Sequence, residues 1–250
     1  MSLSEEQIAQ IEMAVQSNLK EGTPMPDGLD SIINFDHCQT LLQRSKNPYT
    51  IYYASSKLAK IMKMRVPSLE VVHMTEFADW ILNYCCQHIS DFANLESNLR
   101  NLHFKAIGEM LASLIFYGWN KCPVMQKFAE NILNTIQPSD PINTCFVTCL
   151  FCEIILAIQS IQDPEFKIKN QIKNEELLFC FKYAIMNLEK VNDANDPIAI
   201  NSMSLVLTCL TFDVRDCVSN SIIKQDDVCR EQTQLVYSFK EVISNKELFQ

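Results

Sequence analysis

The sequence predicts an all-α chain of helix pairs laid side by side, and three observations predict it. Only four of its 250 residues are glycine, too few for an all-β fold with a turn at about every tenth position. No long run alternates apolar and polar residues, while apolar positions return at helical spacing along the chain. Prolines and capping side chains mark helix starts at near-regular intervals. With 48% of its residues hydrophobic, a chain of this length buries a substantial core.

The first helix is expected over residues 4–20. Ser4 and Gln7 stand in capping-box positions, and Ile8, Ile11, Ala14 and Val15 share one stripe. The stretch EGTPMPDGLDSIIN then interrupts the pattern, so a first repeat over residues 1–34 is expected to be irregular. A short helix follows over 35–44. Asn47 and Pro48 supply an N-cap and an N1 proline for a helix to about residue 63. Pro67 breaks the chain within 64–68, a helix runs on through about residue 90, and the next spans 95–117.

The segment LIFYGWNKCPVMQKFAE then turns a corner. Gly118 is expected to end the helix before it in a left-handed C-cap, and Pro123 to start the helix running to Ile136, making an antiparallel hairpin. Trp119 reads as a wedge packed between neighbouring helices. Beyond it, Pro138 or Pro141 opens a helix to about Ile161. A polar insertion, residues 162–174, intervenes. A helix over 175–191 and one opened by Pro197, through Thr211, complete the pattern.

The second helix of successive pairs thus begins near Pro48, Leu95, Pro138 and Pro197. Those steps lie near the roughly 40 to 47 residues of a HEAT-type repeat. The expected architecture is an α-solenoid of four or five HEAT-like antiparallel helix pairs in a right-handed superhelical array. Helical phase sets Ile51, Ala54, Leu58 and Met62 opposite Tyr49, Tyr53, Ser56, Lys60 and Lys63. In the next pair, Leu99, Leu102, Ala106 and Leu114 oppose Asn98, Asn101, Lys105 and Glu109. Polar faces on corresponding helices align along one wall, where solenoids commonly bind partners.

Composition excludes several functions. A formal charge of −9 offers no electrostatic footprint for nucleic acid. Acidic residues at the N-terminus are wrong for a secretion signal. The most apolar run, 145–158, contains Glu153 and is shorter than the roughly 20 residues a bilayer span needs, so no membrane insertion is expected. The eleven cysteines are an odd set for disulfides and read as small buried hydrophobes. Cys149 and Cys152 have C-x-x-C spacing but sit inside a helical apolar run. His37, His73, His88 and His103 lack metal-ligand spacing, so no metal or cofactor is expected. Neither a phosphate loop, a Gly-x-Ser-x-Gly elbow nor His-Glu-x-x-His occurs, so the chain does not read as an enzyme.

One resemblance goes further. HCQTLLQRSKNPYTIYYASSKLAKIM resembles the N-terminal segment of importin-β-type nuclear transport receptors, the karyopherins. ASLIFYGWNKC and LVLTCLTFDV are similar to the exportin-seven branch, the Ran-binding-protein sixteen and seventeen group. Gly118-Trp119, Cys122, Cys209-Leu210 and Phe212-Asp213 carry that likeness in order, across about residues 35–213.

The resemblance implies an N-terminal HEAT array, residues 1–250, of a longer receptor that shuttles between nucleus and cytoplasm. Such receptors bind RanGTP on the concave face of their first repeats, carry protein cargo and cross the pore on Phe-Gly nucleoporins. On this reading Ran meets Tyr49, Tyr53, Lys60, Asn98, Asn101, Lys105 and Glu109, residues chosen by helical phase, with Tyr53 and Lys105 as the expected anchors. The irregular first repeat departs from the family pattern. A HEAT-like scaffold unrelated to Ran is the alternative, and a small helical enzyme the third reading.

Overall fold

The computed structural model describes residues 3–21, 33–162 and 167–212, and all regular structure among them is helical. Residues 22–28 of the EGTPMPDG break, residues 163–166 of the polar insertion, Asp213 and the C-terminal NKELFQ fall outside the described residues. Helix α1 spans Glu5–Glu21, and its capping box closes in both directions. Ser4 N donates to Gln7 Oε1 at 2.8 Å, and Gln7 N to Ser4 Oγ at 3.2 Å.

Helices α2 (Phe35–Arg44) and α3 (Pro48–Arg65) meet at a polar junction that holds α1. Arg44 pairs with Glu5, Ser45 Oγ donates to Glu12 Oε1 at 2.5 Å, and Asn47 Nδ2 to Gln16 Oε1 at 3.1 Å. Asn47 Oδ1 also accepts from Tyr49 N at 3.0 Å, so the cap and N1 proline stand as the sequence requires. A 3₁₀ turn at Val66–Ser68 leads into α4 (Val71–Ala93), followed by α5 (Ser97–Gly118).

At the corner after α5 one expectation fails. Gly118 is the last helical residue, and Trp119 beyond it stays right-handed at φ −48°, ψ −52°. The glycine is needed for space instead: a Cβ there would lie 2.9 Å from Met125 Cγ and 3.5 Å from Met74 Sδ. Trp119 is buried in the core, 1% exposed. Pro123 opens a 3₁₀ turn, Pro123–Lys127, before α6 (Phe128–Ile136). The left-handed cap falls at the end of α6, where Gln137 has φ 50°.

Pro141, not Pro138, opens α7 (Pro141–Ser160), with Asp140 as its N-cap. At 20 residues α7 outruns the expected apolar run, and by length and composition it could span a bilayer. Half of its most apolar window is nevertheless buried inside the protein.

The polar insertion is corrected over its described part. Helix α8 (Lys167–Ile172) passes through a π-helical turn, Lys173–Leu177, into α9 (Leu178–Leu188). Lys169 and Lys173 are buried there, and Lys169 Nζ donates to Gln159 O at 2.9 Å. Apolar Ile168, Ile172 and Leu177 carry this stretch into the core, which outweighs its polar composition. Glu176 projects from the π turn, and its Oε2 accepts from Ala129 N at 2.9 Å in the first turn of α6. Helix α10 (Pro197–Thr211) completes the described chain.

Contacts follow chain order. Helix α3 packs on α5, α5 on α7 and α7 on α10, while α2, α4, α6 and α9 each pack on the helix that pairs with them in that row. Leu58, Ile107, Leu114, Phe151, Ile154, Phe181 and Leu205 lie fully buried along this seam. At Gly108 of α5 the approach is close: a Cβ there would lie 2.6 Å from Glu153 Cβ and 2.9 Å from the Glu153 carbonyl carbon on α7. Only glycine admits that approach.

Candidate functional site

The outward sides of α3, α5 and α7 are neighbours because these helices pack in sequence. On α3 the expected polar face is narrower than helical phase suggests. Lys60 and Lys63 are exposed, but Tyr49 is partly buried against the core and Tyr53 is 9% exposed. Tyr53 lines a shallow cavity of about 230 Å³ with Ser56, Lys57 and Lys60. Helices α1, α2 and α5 all pack on α3, and its exposed residues are Lys60, Lys63, Met64 and Arg65 near its C-terminal end. Tyr53 is thereby corrected from exposed anchor to cavity wall.

On α5, Asn98, Asn101, Lys105 and Glu109 are all exposed, as their phase requires. Leu102 departs from its expected place in the core and is 41% exposed, beside them on the same face. The approach at Gly108 then brings α7 alongside. Glu153 is half buried there, and its carboxyl is pushed up from the ordinary range chiefly by burial. Lys105 opposes that rise and Glu109 adds to it. Lys105, Glu109 and Glu153 form one mixed-charge cluster across two helices. The sequence held its signal, a glycine inside a helical run, where glycine costs about 1 kcal/mol against alanine and calls for a packing reason.

On the turns of α7 that precede Glu153, Cys145, Cys149 and Cys152 are partly buried. Burial is the main force raising their thiols, to about 11 for Cys149 and about 12 for Cys152. At neutral pH they stay protonated, which is wrong for a nucleophile or a metal ligand. His103 is equally unsuited to surface acid–base work: it is 2% exposed, and burial depresses its pKa to about 3. Its Nδ1 lies 2.9 Å from Ser55 Oγ, which ties α5 to α3. Among the described residues, no group of three His, Cys, Asp or Glu side chains is placed to hold a metal ion.

What remains on α3, α5 and α7 is a shallow surface in which lysine, carboxylate and amide groups are interspersed with exposed Met64, Leu102 and Leu156. It can meet a complementary protein surface by hydrogen bonds and ion pairs. Compared with known proteins, the chain matches no protein-family model, no curated protein and no solved structure.

Proposed function

We propose that the chain is a protein-binding array of antiparallel helix pairs, a right-handed HEAT-like solenoid, acting as the N-terminal part of an importin-β-type transport receptor. Its outward face on α3, α5 and α7 takes Ran in its GTP form. Protein cargo and Phe-Gly nucleoporins are the further partners, and the receptor shuttles between nucleus and cytoplasm. The resemblance within residues 35–213 supplies the name of the partner. One structural observation carries the site: Lys60, Asn98, Asn101, Lys105, Glu109 and Glu153 lie exposed or half buried on three helices that pack in succession. A folded partner engages such a surface through a few charged anchors.

Tyr53 is a poor test of this face, because truncating a buried aromatic opens a cavity. Lys105→Glu is better, since it reverses a charge beside Glu109 and Glu153 without touching the core. The full chain should bind Ran loaded with a GTP analogue in preference to the GDP form, by isothermal titration. Lys105→Glu should weaken binding about tenfold, close to 1.4 kcal/mol. Lys182→Glu, on the exposed side of α9, should leave it unchanged. Equal affinity for both nucleotide states would reject Ran and leave a scaffold for some other protein. An unaltered affinity in Lys105→Glu would reject this face.

A further inference from the structure

The row of helices α3, α5, α7 and α10 ends differently on its two sides. At the α3 end, α1 packs on the row, and the residues of α3 left exposed are mostly basic: Lys60, Lys63, Met64 and Arg65. At the other end stands α10, PIAINSMSLVLTCLT, which contains no charged residue. Its buried residues, Ala199, Ser202, Leu205, Val206 and Cys209, belong to its packing on α7 and α9. Its outer side carries Ile200, Met203, Leu207 and Leu210, all exposed, with Leu207 at 55%. At about 100° per residue, those four lie within roughly 80° of one another around the helix. Isolated exposed apolar side chains are ordinary, whereas a continuous stripe marks a docking surface. Stacked helix arrays close their ends with polar faces, and this face is apolar.

The chain itself holds a fitting occupant. In residues 213–250, which lie outside the described residues, Leu235, Val236, Phe239, Val242 and Ile243 recur at i, i+1, i+4, i+7 and i+8. On a helix that spacing gathers them within about 120°, and Gln234, Ser238, Lys240, Glu241 and Ser244 take the remainder. So short a helix is marginal alone in water and draws its stability from packing its apolar side on an apolar face. The stripe on α10 offers one without charge. Reach is sufficient: residues 213–234, fully extended, span about 70 Å, against about 22 Å for the length of α10. Tethering in the same chain also gives the segment an effective concentration on the order of millimolar, which favours it over a free partner.

We infer that residues 235–243 dock as an amphipathic helix on the outer side of α10, adding one more layer to the row. Leu235, Phe239 and Val242 face Ile200, Met203, Leu207 and Leu210. The contact lies outside the surface proposed for Ran, so it stands independently of that reading.

Hydrogen exchange of the full chain, read by mass spectrometry, tests the contact. Amides of residues 235–243 should exchange at least tenfold more slowly than in a free peptide of the same sequence. Leu207→Glu sets a carboxylate on the stripe without opening the core, and it should remove most of that protection while leaving α3 and α5 unchanged. Phe239→Glu should do the same from the other side of the contact. Met13→Glu, on the exposed side of α1, should have no such effect. If Leu207→Glu fails to fold, Leu207→Ser carries the test. Absence of protection in the wild type, or protection unchanged in a folded Leu207 variant, would overturn the proposal. So would a dimer in light scattering that Leu207→Glu converts to monomer, because a second copy would then cover the stripe.

Discussion

His103 shows how one buried side chain sets a pH response. It lies between Ser55 on α3 and Tyr84 on α4, with Tyr84 OH 3.5 Å from Nε2, and a ring charge there has no counter-ion. Burial depresses its pKa from 6.5 to about 3, with His88 acting in the same direction. Between those values the unfolded chain binds the proton and the folded chain does not. Stability from this residue is therefore full above about pH 6.5 and is lost as pH falls toward 3. Each tenfold difference in proton affinity between the folded and unfolded chain is worth about 1.4 kcal/mol, so the full loss amounts to a few kcal/mol. Urea titrations at pH 7 and pH 4.5 should show a marked drop in the wild type and a smaller one in His103→Leu. Identical drops would mean that the proton binds His103 without cost.

At the scale of an element, helix ends carry the information. Asn34, Asn47, Asp140 and Asp196 each cap the helix that follows by accepting from its first backbone N–H groups. The starts at Pro48 and Pro197 were legible in the sequence because a cap or an N1 proline acts locally, whereas Pro138 and Pro141 competed for the start of α7 until Asp140 was seen to cap it. The C-termini were less so. Gly118 invites a left-handed cap, yet its lack of a side chain makes room for Met125, and the left-handed residue is Gln137. A side chain in that region costs about 1–2 kcal/mol, partly offset by the extra entropy glycine loses on folding. Gln137→Gly should therefore stabilise the protein by about 0.5–1 kcal/mol, visible as a rise of a few degrees at most in thermal melting. A fall in melting temperature would show that the Gln137 side chain supplies more than the backbone strain removes.

Across the whole molecule, the contacts of α3, α5, α7 and α10 in succession make each helix depend on its neighbours. Gly108 sits at the centre of that row. A methyl group there would press on the Glu153 backbone, which has no free end to swing away. Gly108→Ala should thus destabilise by about 1–3 kcal/mol, as overpacking does, although alanine is the better helix former. Urea denaturation measures it, and a stabilised variant would show that α5 and α7 are not pinned at this point.

The sequence by itself determined the helical class, most helix starts, the burial of Trp119 and the exposure of Asn98, Asn101, Lys105 and Glu109. Each follows from caps, prolines or periodicity, which act over a few residues. Only the tertiary structure decided that Tyr53 is enclosed, that Lys169 and Lys173 are buried, that Leu102 faces outward and that Glu153 joins Lys105. It also decided that Ile200, Met203, Leu207 and Leu210 stand exposed together on α10. Those outcomes depend on which helix covers which side. A single helix specifies where its polar and apolar faces lie, but its coverage is set by neighbours as much as 60 residues away or so, through packing distances that a local pattern does not contain.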